Sequence, residues 1–554
     1  MKKVKLISGI VLSVIIMMLL IICDRIPSAV ISMKNGSLVM KTDSREGHKE
    51  TLKAWYREAD GCYHFFLPAY AEEFKNIEVE GKAEKYSLEE EISFEGNNIM
   101  VHRSSNLPAV FIDTETAGND MLHTDKEHRE TGTLQIVSSE GEFLYNEGID
   151  YITGRGNSTW NFEKKPYTLK LNKEVALCGM KPGDKWVLLA NAYEGTKISY
   201  KMVLDMAEHM GLEYTPEAEW VDLYLNGEYR GNYLLCKAVY IGTGSVNITN
   251  EGVLLEKDFP AFFEEEEHGF IINDNLTFSI KGPSDITQEE IAGLAEEFAQ
   301  IDALLRGGDK FYLNYIDTAS MIDLFLIDEL SYKSDSGITS AFLYKKPGEQ
   351  RIMFGPAWDY DGAFGESNGE WLDYNGSVLD IRDSSRGYMY LDWVNLLYEN
   401  DADFFGSLVG RFQEIKPYLQ YLLEDGIDEY ADYIADSVHM DMIRWDYGED
   451  TAGHYSTFEN NARFLKFFLS KRISMLNTKW GLEAEEEVIL SNGKIHAVTF
   501  DYDGVIYEEL VEDGEFLQQV PALEGIIWRY SWDGRRYSEY LPILEDTLFI
   551  ADEE

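Results

Sequence analysis

The hydrophobic pattern of this chain changes its period near Gln288, and no other feature constrains the fold as strongly. Before that point, apolar and polar residues alternate in short runs such as WVDLYLNGEYRGNYLL (220–235), where Asn226-Gly227 favours a tight hairpin turn. After it, segments such as EEIAGLAEEFAQIDALL (289–305) repeat apolar residues every three or four positions, as helices do. A strand-rich half followed by a helical half predicts an α+β fold with one long mixed core.

The length of 554 residues is too great for one ordinary domain and predicts smaller units beside this core. Alternating runs such as YHFFLPAY and NIMVHR predict a small β-rich module over residues 28–105. The central domain is predicted over 106–482, and a return to strands, as in HAVTFDYDG, predicts a second β module over 483–554.

The N-terminus predicts a membrane anchor or a signal peptide over residues 1–27. The opening MKKVK precedes an uncharged run from Leu6 to Cys23, which as a helix reaches roughly 27 Å, close to the thickness of a bilayer core. Leading lysines place the N-terminus inside the cell and the bulk of the chain outside. The following DRIPSAV has no good cleavage signal, which favours an uncleaved single-pass anchor over a cleaved, secreted form.

The composition excludes some functions. A formal net charge of −50 disfavours nucleic-acid binding and contact with anionic lipid beyond the N-terminal helix. The four cysteines have no CxxC spacing, and the ten histidines show no HExxH or paired spacing. The sequence therefore predicts neither a disulfide framework nor a zinc site.

The stretch GRGNSTWNFEKKPYTLKL (154–171) is a candidate nucleotide-binding segment. Gly154 and Gly156, on either side of Arg155, allow the backbone amides to approach an anion, and Asn157 and Ser158 add side-chain donors. The alternating PYTLKL that follows places Lys170 on a strand behind this loop, the arrangement with which kinases hold nucleotide phosphates. The alternative is a hairpin turn followed by a strand with a solvent-facing lysine.

Two carboxylates in FGPAWDYDGAFG (354–365) form a candidate metal site. Asp359 and Asp361 are two residues apart, so in an extended segment both point to one side. Oxygen ligands without a nearby histidine suit Mg²⁺ or Mn²⁺. A calcium loop, a glycosidase acid pair and a plain acidic turn are the alternatives.

A third acid, Asp335, lies in a loop of small residues in LSYKSDSGITSAFLYKK (330–346), ahead of a predicted strand. A loop carboxylate, a strand and then a metal-type aspartate repeat the order of catalytic loop and metal aspartate in kinases. Asp335 is therefore the candidate catalytic residue.

The motifs GRGNSTW…KKPYTLKL, WVLLANAYEGTKIS, VDLYLNGEYRGNYLL, GVLLEKD and GPAWDYDGAFG resemble, in this order, those of the spore coat protein H (CotH) kinase family. The resemblance implies an atypical protein-kinase-like fold that uses ATP and a divalent cation to phosphorylate serine or threonine hydroxyls of proteins. It implies that Lys170 contacts nucleotide phosphates, that Asp335 accepts the hydroxyl proton and that Asp359, with Asp361, binds metal.

The sequence also departs from the family pattern. Lys237 stands where an acidic residue is common, and the roles of Glu256 and Asp258 in LLEKD are not assigned. The asparagine that binds a second metal ion in kinases is replaced by one of three weaker candidates: Ser336, Thr339 and Ser340.

The tail resembles a single β-grasp-type repeat of bacterial surface proteins, which agrees with export. The leading hypothesis is therefore a membrane-anchored, extracytoplasmic CotH-type kinase. A catalytically weak or inactive surface protein that uses the same fold for adhesion or wall assembly is the alternative. Glycan processing by paired acids is the third and weakest.

Overall fold

The structure, a computed structural model, describes residues 28–553 except for positions 35, 45, 74–75, 80–81, 85–87, 119, 193, 258–267, 274–275, 334, 366–372, 381–388, 446–453, 485–486, 524 and 533. The predicted anchor at 1–27 lies outside the described residues. Within the described part, no helix combines the length and apolar character needed to span a bilayer.

The elements are numbered in chain order. The strands are β1 Ser28–Lys34, β2 Ser37–Asp43, β3 Lys49–Lys53, β4 Trp55–Arg57, β5 Cys62–Leu67, β6 Ile77–Val79, β7 Lys82–Glu84, β8 Ile92–Phe94, β9 Asn97–Arg103, β10 Ala109–Thr114, β11 Arg129–Val137, β12 Phe143–Gly154, β13 Tyr167–Val175, β14 Gly183–Leu189, β15 Ala218–Leu225, β16 Glu228–Lys237, β17 Val253–Lys257, β18 Gly269–Ile272, β19 Leu276–Gly282, β20 Ala341–Lys345, β21 Ile352–Phe354, β22 Ile495–Tyr502, β23 Val505–Glu512, β24 Ile526–Tyr530 and β25 Thr547–Glu553.

The helices are α1 Asp120–Thr124, α2 Ser199–Met210, α3 Gln288–Arg306, α4 Thr318–Ser331, α5 Met389–Asn400, α6 Ala402–Tyr421, α7 Ile427–Arg444 and α8 Phe458–Lys479. Strands thus fill most of the first half and helices much of the second, which confirms the α+β prediction. The kinase-like core and the domain limits at residues 27, 105 and 482 stay predictions.

The chain divides into two compact units. Among the described residues, the first contains those of 28–154, 220–233 and 436–445. It holds a five-stranded sheet in the order β3-β2-β1-β6-β7 and a four-stranded sheet in the order β4-β5-β9-β8. Side chains from both sheets, including Met40, Phe65 and Val101, belong to one buried apolar cluster, which is the core of this unit.

The second unit contains residues 155–219, 234–435 and 447–554. Its five-stranded sheet has the order β18-β19-β17-β20-β21. A separate four-stranded sheet, β23-β22-β25-β24, is formed by the tail; β22 and β25 run parallel, and the outer pairs run antiparallel. The β-grasp assignment of this tail stays a prediction.

Helix α4 leads the chain to the candidate catalytic loop. It begins at an Asp317 cap whose side chain accepts a hydrogen bond from the Ser320 amide, and every residue from Met321 to Ser331 is buried. Tyr332 ends the helix in the left-handed conformation, with φ 48°. A helix buried on all sides holds its C-terminus firmly, so the residues that follow it are well positioned.

The pairing of β20 with β21 brings two distant chain segments to the same end of the sheet. In this antiparallel pair, Leu343 lies opposite Phe354. The loop 333–340 enters β20 and the segment 355–361 leaves β21 at the same end, because neighbouring antiparallel strands run in opposite directions. The register of one strand pair therefore places Asp335 near Asp359, although 24 positions separate them in the sequence.

Candidate active site

The structure brings Asp335, Asp359 and Asp361 into one acidic cluster in the second unit. Desolvation raises the pKa of Asp335 to about 6, with a further rise from the Asp359 carboxylate and an opposing effect from Lys333. Desolvation and the carboxylates of Asp359 and Asp335 hold the pKa of Asp361 well above its usual range. The three acids predicted from two separate motifs thus interact electrostatically.

Lys333 is the cation of this cluster. Its side chain is 4% exposed, and its ammonium group lies 3.9 Å from Asp335 Oδ1. Nζ also donates a hydrogen bond of 2.9 Å to the Trp358 carbonyl oxygen and lies 4.7 Å from the centre of the Tyr360 ring. Although burial opposes it, the surrounding carboxylates, Asp335 first, raise the pKa of Lys333 and keep it charged.

Asp359 is held at both its backbone and its side chain. Its backbone amide donates to the Tyr200 hydroxyl at 2.8 Å, and the Ser340 hydroxyl donates to its Oδ2 at 2.7 Å. Its φ of 66° lies in the left-handed region, which is strained for a residue with a side chain. Surrounding contacts therefore fix the direction of this carboxylate.

Glu194, in the segment NAYEGTKIS, is a fourth acid that we did not assign from the sequence. Its side chain is buried, and Oε2 accepts hydrogen bonds from the Ser199 amide (3.0 Å) and the Thr196 hydroxyl (3.3 Å). Oε1 is buried without a hydrogen-bond partner, and the Glu194 charge acts on Asp361. Desolvation raises the pKa of Glu194. A buried carboxylate oxygen without a hydrogen-bond partner is costly, and a cation bound between it and the neighbouring acids would remove that cost.

Asp328, near the end of α4, accepts hydrogen bonds from residues that are next to the predicted site acids in the sequence. Its carboxylate accepts hydrogen bonds from the Tyr360 hydroxyl (2.6 Å) and from the Ser336 hydroxyl. Desolvation raises the pKa of Asp328, while Lys333 opposes the rise. Of the candidates for a second metal ligand, Ser336 is thus bonded to Asp328, whereas Ser340 contacts Asp359, the predicted metal ligand. Ser340 is also five residues after Asp335, the spacing of the kinase asparagine.

The glycine-containing segment is split between the two units: Gly154 ends β12 in the first, and Arg155 begins the second. Gly156 has φ 86°, and a Cβ added there would lie 2.3 Å from Thr159 Oγ1, so only glycine fits. The Arg155 guanidinium lies 5.6 Å from the centre of the Trp358 ring, and Trp358 directly precedes Asp359 in the sequence. The backbone amide of Arg155 donates to the Pro166 carbonyl oxygen at 3.2 Å and so already has an acceptor.

Asn157 precedes a short 3-10 turn, Ser158–Asn161, and its side chain makes no capping hydrogen bond to it. The nucleotide-binding roles of Gly154, Arg155, Gly156, Asn157 and Ser158 stay predictions.

Lys170 pairs with a neighbour on its own sheet. It lies on β13 with its side chain 30% exposed, and its ammonium group donates to Asp184 Oδ2. Asp184 Oδ1 in turn accepts from the Tyr240 hydroxyl at 2.9 Å. The ionic contact described for Lys170 is therefore with Asp184, a residue that the sequence did not identify as its partner. The convergence of Lys170 with Asp359 stays a prediction.

Glu256, whose role is unassigned, and Lys237, which departs from the family pattern, each form an ion pair with an oppositely charged side chain. Glu256 Oε2 lies 2.7 Å from the Lys281 ammonium, and Lys237 Nζ lies 3.1 Å from Glu217 Oε2. The side chain of Lys237 is 7% exposed, so the departure from an acidic residue is accommodated by a buried ion pair. Asp258 lies outside the described residues.

Arg472 on α8 links two chain segments that lead into and out of the acidic cluster. Its side chain is fully buried and donates from Nε and Nη2 to the Glu329 carbonyl oxygen at 3.0 and 2.6 Å. Nη1 donates to the Tyr374 carbonyl oxygen at 3.0 Å, and Nη2 lies 3.4 Å from the Glu329 carboxylate. One guanidinium therefore ties the end of α4, just before Lys333, to the segment that follows the acidic motif.

The chemistry of these side chains fits a hard divalent cation. The carboxyl groups of Asp335, Asp328, Asp359 and Asp361 all act on the ammonium group of Lys333. Glu194 acts on Asp361 and is itself opposed by the Lys197 ammonium group. Partly desolvated carboxylates that outnumber the nearby cations are costly without a further compensating cation. The donors are oxygens, as Mg²⁺ and Mn²⁺ prefer. Magnesium is commonly held by one or two carboxylates together with substrate phosphates, which matches the predicted roles of Asp359 and Asp361.

Fold and site together define an α+β protein with a cluster of acidic side chains at one end of a sheet. The chain belongs to the CotH kinase protein family, because the family model matches residues 152–476, more than half of the chain. The match begins just before the glycine-containing segment, covers every acid of the cluster and ends within α8. No curated protein matches the chain.

Proposed function

We propose that this protein is an exported, membrane-anchored CotH-type kinase that transfers the terminal phosphate of ATP to serine or threonine hydroxyls of proteins. Family membership supports the kinase class. The observation that carries the proposal is the group of four carboxylates around Lys333, together with Glu194, which acts on Asp361 and whose Oε1 has no hydrogen-bond partner.

Asp359 and Asp361, with Ser340 beside them, are the residues that would hold Mg²⁺ or Mn²⁺. When bound, the ion neutralises the charge of the nucleotide phosphates. Arg155, stacked over Trp358, lies next to this position and offers a cation toward the phosphates. The segment 154–158 and Lys170 are proposed as further nucleotide contacts.

Asp335 is proposed as the group that orients the acceptor hydroxyl and takes its proton. In the transfer, the hydroxyl oxygen forms a bond to the terminal phosphorus, the bond from that phosphorus to the bridging oxygen of ADP breaks, and the hydroxyl proton passes to Asp335. A carboxylate with a pKa of about 6 is ionised near neutral pH yet basic enough to accept that proton. Lys333 keeps it in the ionised form.

The alternative is a surface protein that keeps the fold for adhesion or wall assembly without turnover. One observation favours it: Lys170, the proposed phosphate contact, is already engaged by Asp184, and the Arg155 amide by Pro166. A catalytic role requires these groups to change partners when nucleotide binds.

Transfer of labelled phosphate from ATP, with Mg²⁺ or Mn²⁺, separates the two candidates. The purified full-length chain is assayed with itself and with casein as acceptors, beside Asp335→Asn and Asp359→Asn. We expect both variants to lose at least about a hundredfold in rate, since general-base and metal contributions are each of that order or larger.

Asp501→Asn is the matched control, because this aspartate lies in β22 of the tail and contacts the nearby Gly504 amide. It should keep the wild-type rate. Equal incorporation by wild type and the two site variants would rule out the enzyme and leave the binding protein. Far-UV circular dichroism confirms that each variant is folded.

The localisation remains part of this proposal and rests on the sequence of residues 1–27. A single uncleaved helix there would leave the kinase domain and both β modules outside the cytoplasm, with the membrane contacted through that helix only.

A further inference from the structure

A chain of hydrogen-bonded side chains lies in the first unit and shares no residue with the acidic cluster of the second unit. His64 Nε2 lies 3.2 Å from Asp60 Oδ2, and His64 Nδ1 lies 2.8 Å from His102 Nε2. His102 Nδ1 lies 2.6 Å from Glu89 Oε1. A third imidazole, that of His439 on α7, brings Nε2 to 3.7 Å from the same Glu89 oxygen. We refer to Asp60, His64, His102, Glu89 and His439 as the histidine chain.

The hydrogen atoms of this chain do not balance. The contacts Asp60–His64, His64–His102 and His102–Glu89 each require one hydrogen between the two heavy atoms. Ionised carboxylates donate none, and a neutral imidazole donates one. Two neutral imidazoles therefore supply two hydrogens for three contacts, so one contact sets two lone pairs against each other unless a further cation is present, either a proton on one imidazole or a metal ion.

The protein surroundings indicate where that cation belongs. His64 and His102 are each 1% exposed, whereas the side chains of Glu89 and His439 are 46% and 61% exposed. If His64 donates to Asp60 and His102 donates to His64, the bare lone pair of His102 Nδ1 faces Glu89. The unfilled contact then falls at the Glu89 end of the chain, where an ion can enter from solvent. The other end, Asp60, is 32% exposed but already pairs with Arg57.

Glu89 is held toward this position by its backbone. It has φ 62°, in the left-handed region, and its amide donates to the Val101 carbonyl oxygen at 3.2 Å, one residue before His102. This backbone bond ties Glu89 to the strand that carries His102.

We propose that Glu89, His102 and His439 bind a divalent transition-metal ion, with Zn²⁺ as the best match. Their three ligand atoms lie within 4.8 Å of one another. A tetrahedral zinc ion with bonds of about 2.0–2.1 Å requires ligand atoms about 3.3 Å apart. The observed 2.6 and 3.7 Å bracket that value, so small movements of the exposed Glu89 and His439 side chains complete the site.

The donor set selects the metal class and the coordination. Two imidazole nitrogens and one carboxylate oxygen suit zinc and its transition-metal neighbours, whereas magnesium and calcium take oxygen. His64 and Asp60 orient His102 through its second nitrogen, as outer partners do for most metal-binding histidines. Three protein ligands leave a fourth position at the exposed face for water or for a group of a bound molecule.

The test measures metal binding by the full-length protein after treatment with a chelator. Zn²⁺ is titrated against a chromogenic zinc indicator in the presence of excess Mg²⁺, and Co²⁺ is titrated separately for its visible absorption spectrum. All proteins carry Asp359→Asn, so that metal binding by the acidic cluster of the second unit is weakened and is the same in every sample. We expect one equivalent of Zn²⁺, bound with a sub-micromolar Kd, and an intense Co²⁺ band typical of tetrahedral coordination.

Two variants test the ligands without disturbing the buried imidazoles. His439→Ala and Glu89→Gln change exposed side chains, and each should weaken Zn²⁺ binding at least about tenfold, since even outer-shell changes cost that much. His268→Ala, an exposed histidine in the second unit, is the control and should bind like the parent. Absence of stoichiometric binding by the parent would overturn the proposal. So would equal affinity of the parent and the two ligand variants.

Discussion

Replacement of Lys333 by methionine tests how the acidic cluster controls its proposed base. The ammonium group lies 3.9 Å from Asp335 Oδ1 and lowers the pKa of that carboxyl group. At this separation the Coulomb energy is about 1 kcal/mol at a dielectric constant of 80 and about 4 kcal/mol at 20. Because the Asp335 side chain is 41% exposed, solvent screening favours the lower half of this range, about 1–2 pKa units.

The direction of the effect on the rate follows from the proposed role of Asp335 as a proton acceptor. In the wild type, phosphotransfer should fall tenfold for each pH unit below about 6, as the carboxylate becomes protonated. In Lys333→Met the inflection should move up by about 1–2 units. The rate at pH 7 should then be about twofold to tenfold below wild type, and the difference should shrink as the pH rises toward 9, where both carboxylates are ionised.

The assay is the pH dependence of kcat/KM between pH 5 and 9, because this quantity reports the ionisation of the free enzyme. Lys181→Met is the matched control: its side chain is 77% exposed and pairs with Glu217, so its inflection should stay at the wild-type pH. An unchanged or lowered inflection in Lys333→Met, with folding intact, would refute the electrostatic reasoning.

Four further outcomes are expected. Arg472→Met should lower the free energy of unfolding by about 3–5 kcal/mol in urea denaturation, since it leaves the Glu329 carboxylate buried without its cation; a loss below 1 kcal/mol would contradict this. Glu194→Gln should raise the melting temperature of the metal-free protein, because it removes a buried charge with an unpaired oxygen, and it should weaken Mn²⁺ binding at least about tenfold. A lower melting temperature together with weaker Mn²⁺ binding would argue for a structural role and against a ligand role. Ser340→Asn should strengthen binding of a second Mn²⁺ ion in the presence of nucleotide by about tenfold or less, measured by calorimetry, and an unchanged affinity would count against Ser340 as that ligand. Extraction of cell membranes with alkaline carbonate should leave the full-length chain in the pellet, and its release would contradict an uncleaved anchor.

Much of the fold could be predicted because hydrophobic periodicity is a local property. The hairpin around Asn226-Gly227 forms with Asn226 at φ 52°, as a tight turn requires. The segment 289–305 lies in α3, which begins with a capping box between Thr287 and Glu290. The helical half and the strand-rich tail likewise follow the pattern of their residues.

The candidate acids could also be named from the sequence, because a loop carboxylate, a strand and a pair of aspartates follow one another in the order found in kinases. Asp335, Asp359 and Asp361 lie together, as their order along the chain suggested. Lys333 was not identified, since a lysine two residues before an acid has no distinctive pattern. The partner of Lys170 could not be chosen among many acids until the pairing of β13 with β14 placed Asp184 beside it.

The sequence by itself determined the order of strands and helices, the candidate acids and the family, because each depends on residues close together along the chain. Only the tertiary structure decided which charges share a buried space, since desolvation and Coulomb energy depend on distance in space and not along the chain. Spacing along the sequence predicted no histidine site, yet the fold brings Glu89 and His439, 350 residues apart, within 3.7 Å of each other.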